Sequence, residues 1–287
     1  MYYGLIILSV IMFGGCFALN DLYRKMRGSS LKISLQFSCV SSLAGLAVLL
    51  AINNFKFEFT VFTLIIALLS ALVGLGFTFC AFKALGIINL SLYSLFSMLG
   101  GMVLPFVQGI VFYSEKMTVA KIVCLVFISV ALLLTVEKSE KTKGTIYYIG
   151  IFVLNGMSGV LSKIFTSSDC EKTSAAGYSI LTALCSVALS GAILLLFFMK
   201  KGNAPKMKLS DTGVGALNGI TNRVANFLLV IALAHVDASV QYPMVTGGVM
   251  IVSTLICFFG KNKPSKKEIL SVILAFVGML TLFVIPL

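Results

Sequence analysis

The run VCLVFISVALLLTV at residues 123–136 decides the fold class. A strand of a transmembrane barrel alternates polar and apolar residues at every second position, and this run does not. Apolar stretches of about 18 residues or more return along almost the whole chain, and about 20 such residues in a helix span a bilayer. Of the 287 residues, 59% are hydrophobic and 11% are charged. The mean hydropathy is +1.06. A soluble domain carries about 25% charged residues. The chain reads as an all-α integral membrane protein.

Working outward from that run, turn and charge signals cut the sequence into ten apolar segments, at 3–20, 33–52, 61–82, 90–113, 119–136, 145–165, 175–198, 212–234, 238–259 and 268–285. The dividers between them are short, and none has room for a soluble domain. The opening MYYGLIILSVIMFGG has neither a basic leader nor a small-residue cleavage site, so it reads as the first permanent span. Seven cysteines (16, 39, 80, 124, 170, 185 and 257) are dispersed, odd in number and without a CxxC pair. They suggest neither a disulfide framework nor a metal site.

The net charge of +12 does not imply a nucleic-acid partner. The basic residues sit in short loops and form no continuous face that could track phosphates. They sort by side instead. Loops 21–32, 83–89, 137–144, 199–211 and 260–267 hold sixteen Lys and Arg, whereas the opposite face has five. By the positive-inside rule the richer face is cytoplasmic and both termini lie outside.

The two halves resemble each other. Tyr2, Tyr3, Met12 and Gly14 answer Tyr147, Tyr148, Met157 and Gly159 at one offset of 145. Farther on, KALGIINLSLYSLFSMLGG (83–101) parallels IALAHVDASVQYPMVTGG (231–248), ending in matched Gly-Gly pairs. A unit with an odd number of crossings is inverted when it is repeated, and inverted repeats place a substrate where the halves meet.

Residues 79–134, FCAFKALGIINLSLYSLFSMLGGMVLPFVQGIVFYSEKMTVAKIVCLVFISVALLL, resemble the EamA-type repeat of the drug/metabolite transporter superfamily. The features that match are Ala84-Leu85 ending one helix, a small-residue start to the next, Pro105 midway and Glu115 closing it. The second half carries a degraded copy, with Pro243 earlier and Asn262 near the glutamate position. The resemblance implies ten transmembrane helices as two inverted five-helix repeats, 1–138 and 145–287. It implies architecture more than cargo, since the superfamily moves amino acids, sugars, nucleotide-linked metabolites, cations and drugs.

Inside the spans, polar residues concentrate in NGITNRVANFLLVIALA (218–234). Arg223 lies about 18 Å into its segment at about 1.5 Å per residue, near the bilayer centre. A central arginine costs about 2.5–3.5 kcal/mol to insert, so it needs a partner, water or a ligand. Asn218, Asn222 and Asn226 follow at i, i+4 and i+8 along one face beside it. Two readings stay open for Arg223. It is either an anchor for a carboxylate or phosphate, or a structural arginine met by helix-end carbonyls or by Asp21 or Asp237. The equivalent first-half stripe, Ser70, Gly74 and Thr78, is less polar, so the binding chemistry is expected mainly in the second half. Asn155, Gln241, Tyr242 and Tyr93 are further candidates for the cavity, with helix–helix bonding or an interfacial belt as the alternatives. Phe13 is a candidate wall. Glu115 reads as structural. His235 reads as a loop-edge residue, with a proton relay as the alternative.

No Ser/His/Asp set, central carboxylate pair, metal cluster or phosphate loop appears, so an enzyme is not expected, nor is a cofactor. The leading expectation is a secondary-active plasma-membrane transporter of a small polar metabolite such as an amino acid or organic acid. The partners are then the bilayer and the small-molecule substrate, with a coupling proton left open. The alternatives are a lipid-linked sugar flippase or flippase subunit, or a carrier of organic cations or drugs.

Overall fold

The computed structural model describes residues 1–28, 30–85, 90–134, 145–201, 208–259 and 266–284. Within them the chain forms ten helices, and no strand is present. They are α1 (Tyr2–Arg27), α2 (Leu31–Ile52), α3 (Val61–Leu85), α4 (Leu90–Tyr113), α5 (Val119–Leu134), α6 (Thr145–Ser167), α7 (Ala175–Lys201), α8 (Leu209–Leu233), α9 (Ala238–Phe259) and α10 (Lys266–Val284).

Among the described residues, seven of the helices are long and apolar enough to cross a membrane. The burial pattern fits the same solvent. Val111, Phe112, Ile146 and Leu195 are exposed, while Ser9, Thr63, Ser190 and Ser271 are fully buried. Lipid accepts the outward hydrocarbon, and the inward hydroxyls find partners within the bundle: Ser9 Oγ donates to Ala225 O at 3.1 Å, Ser190 Oγ to Ser186 O at 2.6 Å, and Thr63 Oγ1 accepts from the Thr173 N–H at 3.1 Å. The chain is a multi-pass helical membrane protein.

The helix ends follow local chemistry more than hydropathy. Helix α1 runs to Arg27, past the expected boundary at residue 20, because Asp21 bonds to Arg24 at 2.8 Å and Lys25 at 2.6 Å across one turn. Its basic last turn also suits the negative end of the helix dipole. Ser30 caps α2, and at the start of α8 the Asp211 carboxylate accepts from the Lys208 N–H at 3.1 Å. This starts α8 at Leu209, before the expected residue 212. Pro105 and Pro243 lie inside α4 and α9, which neighbouring helices tolerate in a bilayer.

Helix α1 packs on α8 and α9, α2 on α7 and α8, α3 on α6 and α7, and α4 on α6 and α9. Helices α5 and α10 pair with each other at the edge. Two crossings are close because a side chain is missing. A Cβ on Gly219 would overlap the Ser41 backbone of α2, and one on Gly100 would overlap the Phe152 backbone of α6. Gly215 and Gly219, spaced four apart on α8, thus allow the close α2–α8 contact, where Ser41 Oγ also bonds to Gly215 O at 2.9 Å. Gly219→Ala is expected to destabilise the protein by about 1–3 kcal/mol through overpacking, read as a lower melting temperature in detergent. An unchanged melting temperature would show that α2 and α8 can part freely.

Candidate functional site

A cavity of about 360 Å³ opens between the helices. Its described lining comes from α1 to α4 and from α6 to α9, with nothing from α5 or α10. Arg223 sits among these residues, about 21 Å from the start of α8 at about 1.5 Å per residue. Its stem crosses α2 at Gly45, where a Cβ would collide with it. Its Nη2 donates to Ser186 Oγ of α7 at 2.8 Å and to Ser42 Oγ of α2 at 3.2 Å.

Both of these partners are neutral. Asp21 and Asp237 do not neutralise Arg223, because Asp21 is held by Arg24 and Lys25, and Asp237 by Lys121 at 3.0 Å. The carboxylate version of the structural reading therefore fails on geometry. A guanidinium carries five N–H donors, and Nε and Nη1 of Arg223 have no partner among the described residues. Beside it, Tyr178 Oη and Ser70 Oγ share a hydrogen bond of 2.9 Å.

The other expected residues divide by what their polar atoms do. Asn222, Asn226 and Phe13 line the cavity. Asn226 Nδ2 donates to Asn222 Oδ1 at 3.1 Å and to Asn222 O at 2.8 Å, so these two amides hold each other. Four more line the cavity while tying helices together. Asn218 Nδ2 reaches Cys16 O at 3.1 Å, and Asn155 Nδ2 reaches Ser97 O at 2.6 Å. Gln241 Nε2 reaches Leu229 O at 3.1 Å, and Tyr242 Oη reaches Gly159 O at 2.9 Å. The Tyr93 side chain lies outside the described residues, as does Asn262.

The first half also lines the cavity, although the second half supplies more of the described polar lining and its formal charge, Arg223. Ser70, Gly74 and Thr78 of α3 all line the cavity, and α2 supplies Ser38, Ser41 and Ser42. Sequence reasoning passed over Ser38, Ser41 and Ser42, together with Ser186 and Tyr178 of α7. The signal was a spacing: Ser34, Ser38, Ser41 and Ser42 recur on one face of α2, and Ser179, Thr182 and Ser186 on one face of α7.

A second polar cluster lies outside the cavity. Ser114 takes a left-handed backbone at the end of α4, and the next N–H, that of Glu115, returns to Gly109 O at 3.1 Å. The Glu115 carboxylate accepts from the N–H groups of Ala238 and Ser239 at 3.0 and 2.9 Å, and from Ser239 Oγ at 2.5 Å. It thereby caps α9, and Lys163 of α6 pairs with it at 2.8 Å. Burial pushes this carboxyl up, but the hydrogen bonds from Lys163 and Ser239 and the Lys163 charge outweigh it and hold the carboxyl below its ordinary value. His235 is exposed at the helix connection, and its ring stacks on Tyr2 at 4.1 Å between centroids.

Neither a family model nor a curated protein matches the chain. Solved structures do. One crystal structure of a protein is similar with a TM-score of 0.73 at 16% sequence identity, covering 97% of this chain and 95% of that one. At that identity the likeness carries the fold alone.

Proposed function

We propose that the chain is a secondary transporter of the drug/metabolite type. It carries a small polar metabolite across the cell membrane by alternating access between two inverted five-helix halves, 1–138 and 145–287. The observation that carries this reading is a cavity lined by both apolar and polar side chains inside an apolar bundle, with a mid-helix arginine that has no counter-charge among the described residues. An intramembrane charge of this kind marks a substrate path far more readily than a packing role.

The helix pairing supports the two-halves part of the reading. Exchanging each helix with the one five places later turns α1–α8 into α6–α3, α1–α9 into α6–α4, and α2–α8 into α7–α3, all of which are contacts. Three further contacts, α2–α7, α4–α9 and α5–α10, join a helix to its own counterpart. The repeated glycines fit the same exchange, since Gly14 abuts Val252 of α9 while Gly159 abuts Pro105 of α4.

The test is uptake. Proteoliposomes bearing the protein are incubated with a mixture of cellular metabolites and their contents are read by mass spectrometry. At least one carboxylate-bearing metabolite is expected to accumulate over empty liposomes, and not with Arg223→Ala. If no metabolite accumulates in either direction of loading, the transporter reading is wrong.

A further inference from the structure

We propose that the ligand of this cavity is a monoanion: one planar carboxylate on an apolar body of aromatic size, with no cationic group and no second anion. This rests on the reading of the cavity as a substrate site and narrows it to a chemical class. Among the described lining residues, Arg223 alone carries a formal charge, and no Asp, Glu, Lys or His stands beside it. The described lining therefore carries one uncompensated positive charge, and a single carboxylate brings the sum to zero. The guanidinium keeps three N–H donors for it beyond the two serine bonds, one on Nε and two on Nη1, and each can give a carboxylate oxygen a charge-assisted hydrogen bond.

The same charge count rejects neighbouring classes. The ammonium of an amino acid would stand within a few bonds of the guanidinium with no carboxylate to receive it. The acids that could have done so are engaged elsewhere: Asp21 by Arg24 and Lys25, Asp237 by Lys121, and Glu115 by Lys163. An organic cation meets the same repulsion without the carboxylate's attraction. A dianion would bring a second charge into a space that has one cation for it. The rest of the ligand meets apolar aromatic side chains, because Phe13, Phe17, Phe77 and Phe82 line the cavity.

The class is tested with four probes that share one ring and differ in charge: 3-phenyllactate, L-phenylalanine, benzylmalonate and phenethylamine. Each is titrated calorimetrically into the purified wild-type chain in detergent near pH 7, where the four are monoanion, zwitterion, dianion and cation. The expected result is saturable binding of 3-phenyllactate, weaker by about tenfold or more for L-phenylalanine and benzylmalonate, with no heat from phenethylamine. Arg223→Met should lose the 3-phenyllactate signal. A smaller gap to L-phenylalanine or benzylmalonate, binding of phenethylamine, or silence from all four overturns the class. The transporter reading falls on a different result, the failure of proteoliposomes to accumulate any metabolite, so the two can fail separately.

Discussion

Replacing Arg223 with methionine is expected to weaken carboxylate binding by about 100-fold and to abolish concentrative uptake. A charge-assisted hydrogen bond contributes about 1.5–3 kcal/mol, so the loss of one from Nε or Nη1 to the ligand's carboxylate accounts for an effect of that size. Arg223→Lys should recover only part of this, since an ammonium restores the charge but has three donors on one atom to serve the two serines and the ligand. The measurement is equilibrium binding of the accumulating metabolite to the three proteins. Binding by the methionine variant within a few-fold of wild type would place the ligand's charge elsewhere.

The second large effect is expected at the cluster under α9. Lys163→Met removes one side of a buried pair whose side chains are only 9% and 5% exposed. It leaves the Glu115 carboxylate between three elements without its cation, at a cost of about 3–5 kcal/mol. The double variant Glu115→Gln with Lys163→Met should recover much of that loss, because the amide oxygen still accepts from the N-terminus of α9 and no charge is stranded. Thermal unfolding of the two variants checks this, and a double variant no more stable than Lys163→Met would contradict it. The pH dependence has a definite sign. The Glu115 carboxyl is held below its ordinary value in the folded chain. Its contribution to stability is therefore complete above that ordinary value and is lost as pH falls through the lowered one. Glu115→Gln should flatten the acid limb of stability and leave neutral pH behaviour in place.

The helical membrane class was legible in runs such as residues 123–136, because bilayer solubility is written directly in hydropathy. Helix ends were less legible for a physical reason. Hydropathy marks where lipid contact stops, whereas the hydrogen-bond ladder of α1 continues to Arg27 under its own ion pairs. At the site, Arg223 was legible because a charge at that depth must be answered. Ser42 and Ser186 were not, because a mid-helix serine bonds its own preceding turn as readily as a neighbour, and Ser186 Oγ does so to Thr182 O at 2.7 Å. The unaligned distance between residues 42, 186 and 223 carried no signal. Only the packing of α2, α7 and α8 brings their side chains together.

The most direct measurement is the melting temperature of ligand-free Arg223→Met against wild type in the same detergent. A guanidinium held for a ligand and met only by neutral hydroxyls contributes nothing net to folding, since its desolvation is not repaid by a counter-charge. The variant should therefore melt no lower than wild type, and removal of the stranded charge should raise the midpoint. A fall of about 10 °C or more would mean that the arginine holds the bundle together, and that its charge is structural and not reserved for a substrate.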